Sequence, residues 1–210
     1  MPIPPPRRSP GRPRLYAPAD ERSRIFVATL EVLRRNSGEE ATVSDILAQA
    51  GLSTRAFYRH FQTKEDVIQG LYERDARSFG AHLARRVEAA DSPESALAIW
   101  IYEMLGLAYD RRRAERVAAL SSVMVLRVVA GTQAQRVGTE SLTQPLRWVL
   151  ADGRAAGSFP TAEPELDTLT IRAVTAEVIS WAAAGTAQLS RRQASEHVLR
   201  FCRAALGYGS

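Results

Sequence analysis

Apolar residues recur at three- and four-residue spacing from about position 20 almost to the end of the chain, and no run alternates with the period of two that marks a half-buried strand. The pattern predicts an all-α fold. A first helix over 20–35 places Phe26, Leu30 and Leu33 on one face and stops at Asn36, Ser37 and Gly38. A short second helix follows Thr42, whose partner Asp45, three residues on, makes close to a capping box; Val43, Ile46 and Leu47 supply its buried face. Gly51 closes it. Ser53 caps a third helix that carries Phe57 inward and ends near His60, and Thr63 with Asp66 repeats the cap signature for a long helix running from Lys64 past Leu71, Phe79 and Leu83. Longer helices are predicted over 93–109, 114–129, 133–155, 165–187 and 191–206, giving about nine helices. No internal repeat of fixed period is visible, which argues against a helical solenoid.

The first 19 residues break this pattern. Seven of the 11 prolines lie within residues 1–18, so this arm neither forms a helix nor packs as a strand, and it is expected to stay extended until it meets a partner. It holds Arg7, Arg8, Arg12 and Arg14 with no acid, which concentrates nearly all of the formal charge of +5 in one short segment. Such clustering suits a polyanion, and a solvated basic tail is the competing reading. With Cys202 the only cysteine there is no intramolecular disulfide, and no Cys/His set has structural-zinc spacing, so a reducing cytoplasm is the expected setting. The basic start lacks an apolar stretch after it, and no run approaches the roughly 18 apolar residues of a membrane span, so export and insertion are not expected.

Residues 42–61, TVSDILAQAGLSTRAFYRHF, carry the chemistry. Two short helices joined by a tight turn need a residue free to reverse the chain, here Gly51, while Leu52 and Phe57 hold the second helix on the first. Ser53, Thr54, Arg55, Tyr58 and Arg59 are left on the outer face. A helix held in this way can enter the major groove, its first residues meeting base edges while flanking groups hold phosphates.

These residues resemble the TetR family of bacterial helix-turn-helix regulators: Val43-Ser44-Asp45-Ile46, Ala50-Gly51-Leu52-Ser53, Phe57-Tyr58, His60-Phe61 and Lys64-Glu65 agree with it in type and spacing over residues 20–72. The alternative is a generic helical pair in a bundle. The resemblance implies that Tyr58 meets a phosphate through its hydroxyl, that Lys64 and the amides opening its helix meet another, and that Thr42 does similar work at the second helix. Thr54 and Arg55 are the candidates for base readout. The DNA-binding candidates are therefore Thr42, Ser53, Thr54, Arg55, Tyr58, Arg59, His60 and Lys64, with Arg12 and Arg14 added because Gly11-Arg12-Pro13-Arg14 resembles the core of an AT-hook, whose arginines lie in a narrow minor groove. Arg55 stands where the family usually has a smaller residue, and Leu47 where it favours alanine. Neither departure breaks the motif.

The resemblance further implies a three-helix DNA-binding domain over 20–68 and a larger helical-bundle ligand-binding and dimerisation domain over 69–210. The last two helices, with Leu166, Leu169, Val174, Val178, Trp181, Val198, Phe201 and Leu206, would form a four-helix bundle with their copies in a homodimer, internal packing being the alternative. Trp100, Met104, Met124 and Trp148 are candidates for a ligand cavity, although apolar residues at helical spacing also simply fill a core. Glu103 is the only charge in 96–108, which favours an apolar or amphipathic ligand, and Arg111-Arg112-Arg113 either meets an acidic group on it or forms a solvated loop.

For an enzyme the sequence offers little. His60, His82 and His197 are scattered, and neither a phosphate loop, an HExxH, a nucleophile elbow nor a cofactor or metal motif is present. The expected function is a repressor that binds a palindromic operator as a dimer and is released by a small molecule, the alternative being a dimeric DNA-binding regulator with no such ligand.

Overall fold

The structure, a computed structural model, describes residues 17–36, 41–185 and 189–208. Among these residues the chain forms helices and no strand: α1 (Pro18–Arg35), α2 (Val43–Ala50), α3 (Thr54–His60), α4 (Lys64–Glu88), α5 (Pro93–Tyr109), α6 (Arg111–Leu120), α7 (Val123–Val129), α8 (Gln133–Ala155), α9 (Pro164–Ala183) and α10 (Arg191–Leu206). None of them is long and apolar enough to cross a membrane.

The caps read from the sequence are made. The Asp45 amide donates to Thr42 Oγ1 at 3.1 Å while the Thr42 amide donates to the Asp45 carboxylate, and Thr63 with Asp66 repeats the arrangement at α4. Gly51 ends α2 in the left-handed region at φ 63, which a residue with a Cβ enters only at a cost. Ser53 caps α3 through the Ala56 amide.

One expected helix, 114–129, is two. Ser121 terminates α6 and the hydroxyl of Ser122 accepts from the Val125 amide to begin α7; adjacent serines bond their own backbone and so favour helix ends over interiors. The same principle starts α6 early. Asp110 accepts from the Arg113 amide at 3.0 Å, so Arg111-Arg112-Arg113 is the first turn of a helix and not a loop. The helix expected over 165–187 is shorter at its end, stopping at Ala183 just before Gly185 adopts φ 68.

Two apolar clusters organise the packing. One joins α1–α4 through Ile25, Leu33, Ile46, Phe57, Ile68 and Leu71, and extends to Leu120 of α6 and Val125 and Val129 of α7. The other holds Leu83, Leu97, Trp100, Leu105, Leu146, Leu150, Phe159, Val198 and Leu206, from α4, α5, α8, the turn after α8, and α10. Helix α4 belongs to both. It packs along α8, and at their crossing Gly80 lies against the Ser141 carbonyl, with which any Cβ on residue 80 would collide. Pro145 lies inside α8, four residues after Ser141, and lacks the N–H that would have bonded this carbonyl.

Candidate nucleic-acid interface and effector cavity

Helix α3 is anchored on one side and open on the other. Ala56 and Phe57 are buried, and the Phe57 ring meets Phe61 at 6.0 Å between centroids. Ser53, Thr54, Arg55 and Tyr58 are exposed on the remaining face, with Tyr58 57% accessible. Thr42 is exposed at the N-cap of α2, and Lys64 is half-buried in the first turn of α4. Arg12 and Arg14 lie outside the described residues.

Arg59 is exposed on α3 and His60 is half-buried at its end. Both turn to Glu21 in the first turn of α1: the Arg59 guanidinium pairs with its carboxylate, and His60 Nε2 lies 2.9 Å from the same oxygen. Glu21 is only 5% exposed, and a carboxylate so placed needs charged or hydrogen-bonding partners. The hydrogen bond from His60, followed by the bond and charge of Arg59, outweighs burial and holds the Glu21 carboxyl below its ordinary range. A second polar clamp comes from Arg24, which donates through Nε (3.3 Å) and a terminal nitrogen (2.9 Å) to the Ala50 carbonyl at the end of α2. Sequence reasoning missed both clamps. A signal for one was available, since Glu21 continues the buried line of Ile25, Ala28 and Val32 along α1 at helical spacing.

In the other apolar cluster Trp100 and Met104 are core residues, and the Trp100 indole N–H donates to the Leu142 carbonyl at 3.1 Å. Met124 packs against the first cluster, and Trp148 is half-exposed beside an acidic groove lined by Glu88, Asp91 and Asp152. These four residues therefore do not share one cavity. A cavity of about 450 Å³ instead opens between α4, α5, α6 and α8, walled by Phe79, Leu107, Val117, Leu120 and Leu142, with Tyr72, His82, Arg113 and Arg116 beside them. The His82 ring stacks on Phe79 at 6.0 Å and 19°. Arg116 is paired with Asp75, and Arg113 donates to Glu103 at 3.2 Å.

Glu103 links this wall to three further groups. His82 Nε2 lies 3.2 Å from it, Arg86 3.5 Å and Arg191 3.9 Å. Burial pushes its carboxyl upward, and the hydrogen bonds and charges of His82 and Arg113 overcome that and leave it lowered. Arg191 at the start of α10 also stacks on Tyr102, 3.6 Å from the ring centroid, so the carboxylate joins α4, α5, α6 and α10.

Residues 25–71 match the family model of bacterial regulatory proteins, tetR family. Over this segment the chain is similar to the tetR family. The nucleoid occlusion factor SlmA of Marinomonas sp. (strain MWYL1) is 28% identical over 89 residues, 42% of this chain and 45% of that protein, so the chain matches less than half the length of this relative. Among solved structures, a transcriptional regulator from Pseudomonas aeruginosa PAO1 is similar with a TM-score of 0.74 and 16% identity, covering 92% of this chain and 93% of its own. The regulator FadR from Bacillus subtilis, in complex with stearoyl-CoA, is similar with a TM-score of 0.71 and 20% identity over 87% and 98%. A transcriptional regulator from Saccharomonospora viridis, in complex with choline, reaches 0.72 with 13% identity over 88% and 96%. At these identities the likeness establishes a shared fold along most of the chain.

On this fold the expected dimer residues divide. Leu166 and Leu169 of α9 are 60% and 55% exposed, Trp181 54% and Phe201 of α10 45%; Val174 and Val178 are half-buried. Val198 is fully buried in its own chain's core. It faces inward because it falls on the line of Ala194, Cys202 and Leu206 along α10, all buried, and it cannot touch a second copy.

Proposed function

We propose that this tetR-family protein is a dimeric transcriptional repressor that grips a palindromic operator with α3 of each copy and releases it when a small apolar or amphipathic molecule occupies the cavity between α4, α5, α6 and α8. The observation that carries the reading is the two-sided character of α3: Phe57 is locked inside while Ser53, Thr54, Arg55 and Tyr58 are presented outward. Arginine on such a face can pair with guanine in the major groove, and Tyr58, Thr42 and Lys64 suit the phosphates that set register.

Two heads must sit about 34–36 Å apart to enter successive major grooves. The exposed Leu166, Leu169, Trp181 and Phe201 supply an apolar surface for pairing two copies through α9 and α10. The cavity supports the ligand half of the reading, because α4 both lines it and begins where the DNA-binding helices end. A ligand that favours a different head spacing opposes the operator, and the operator opposes the ligand equally. Selection of genomic fragments by the purified protein tests this. Recovery of a palindromic site is expected; recovery of no enriched sequence at moderate salt would overturn it.

A further inference from the structure

The charges around the cavity do not balance, and the imbalance selects a ligand. Glu103 is shared by the guanidinium groups of Arg86, Arg113 and Arg191, and Asp75 is paired with Arg116. Four permanent cations thus face three carboxylates once Asp110 beside Arg113 is counted, before any charge on His82. Of these groups Arg113, Arg116 and the Asp75 that pairs with Arg116 line the cavity itself. Arg113 binds Glu103 through one terminal nitrogen and lies 5.8 Å from the centroid of Phe79, one of the apolar wall residues. A guanidinium has five N–H donors, so one contact leaves most of its capacity for another acceptor.

Resting on the reading of a ligand-responsive regulator, we propose that the effector is an amphipathic organic monoanion of the carboxylate class, its head on Arg113 beside His82 and its apolar body against Phe79, Leu107, Val117 and Leu142. A neutral apolar molecule would leave this guanidinium facing a contact it cannot use, and a cation would meet the excess of like charge. A dianion is disfavoured too, because Glu103 and Asp75 stand within the same charged groups. A single negative charge on an apolar body meets each of these requirements, and the cavity volume of about 450 Å³ falls in the range of ordinary small-molecule sites.

The test uses the full-length protein and matched ω-phenylalkanoates, ω-phenylalkanamides and ω-phenylalkylamines of increasing methylene length, titrated calorimetrically. The acids are expected to bind roughly tenfold or more tightly than amides and amines of equal length, the size of a hydrogen bond to a charged group. Arg113→Gln should bring the acids down to the amides and leave the amides unchanged, whereas Arg113→Lys should retain an acid preference. Ala76→Phe, which fills the cavity from α4, should remove acid binding while Arg113 stays in place. Amides or amines binding as well as acids, or an acid preference that survives Arg113→Gln, would overturn the anion class and leave the cavity reading standing. Acid binding that survives Ala76→Phe would overturn the site. Binding by none of the three series at any length would overturn both readings.

Discussion

His60 Nε2 at the end of α3 lies 2.9 Å from the carboxylate of Glu21 in the first turn of α1, so α3 is tied by its C-terminal end to the helix that opens the fold. Arg59 shares that carboxylate. One acid therefore neutralises a guanidinium on the expected DNA face and fixes the roll of α3 about its own axis.

Glu21→Gln should weaken operator binding and broaden its sequence preference while leaving the fold intact. Quantitative footprinting checks affinity and circular dichroism checks the fold. Unchanged affinity and preference would show that Phe57 and Phe61 alone orient α3.

The same carboxylate makes stability depend on acidity. Its folded value is depressed below the ordinary 4.5, so its contribution is fully present above about that pH and is lost as the pH falls through the folded value. Asp45 and Glu103 are lowered as well, by Thr42 and by His82 with Arg113 respectively, and act in the same direction. The melting temperature should fall on acidification in this range, and Glu21→Gln should reduce the slope. Thermal melts across acidic buffers read both.

Arg55→Ala should cost about 1–3 kcal/mol of discrimination at one position of each operator half-site, without uniform loss over all sequences. Tyr58→Phe, by contrast, should weaken every sequence alike and leave the salt dependence unchanged, because a neutral hydroxyl releases no counterion when it meets a phosphate. Binding to a randomised operator library at two salt concentrations separates the two.

Thr42→Ala removes the capping hydroxyl of α2 and should lower stability by about 1 kcal/mol, measured as a shift in the urea midpoint at constant slope. Gly80→Val should cost about 1–3 kcal/mol by forcing α4 away from the Ser141 carbonyl.

Leu169→Asp should convert a dimer to monomers in sedimentation experiments with little change in the fold, because Leu169 is 55% exposed in one chain. Val198→Asp should instead unfold the chain, since that side chain is wholly buried.

The fold was legible where local chemistry decides. Thr42, Gly51, Ser53 and Thr63 each dictate a cap or a turn within a few residues, and the helix-turn-helix segment is built almost entirely from such short-range signals. What escaped depends on partners far along the chain. Glu21 and Arg59 are separated by 38 positions, and periodicity alone gives no reason to pair them. The same applies to the cavity: Trp100 looked available, yet the Leu142 carbonyl of α8 satisfies its indole and the surrounding helices enclose it. Val198 and Phe201 share a helix and an apolar character, and only the packing of α10 on its neighbours sends one inward and the other out.

The apolar cluster that takes Leu120, Val125 and Val129 into the helices of the N-terminal head also limits how the protein can be recombined. A chimera that joined residues 1–68 to another helical domain would leave the cluster of Ile25, Leu33 and Ile68 without those neighbours, and residues 69–210 alone would expose α6 and α7 to water. The interchangeable unit in this chain is discontinuous: the head travels intact only when a matching α6–α7 segment comes with it.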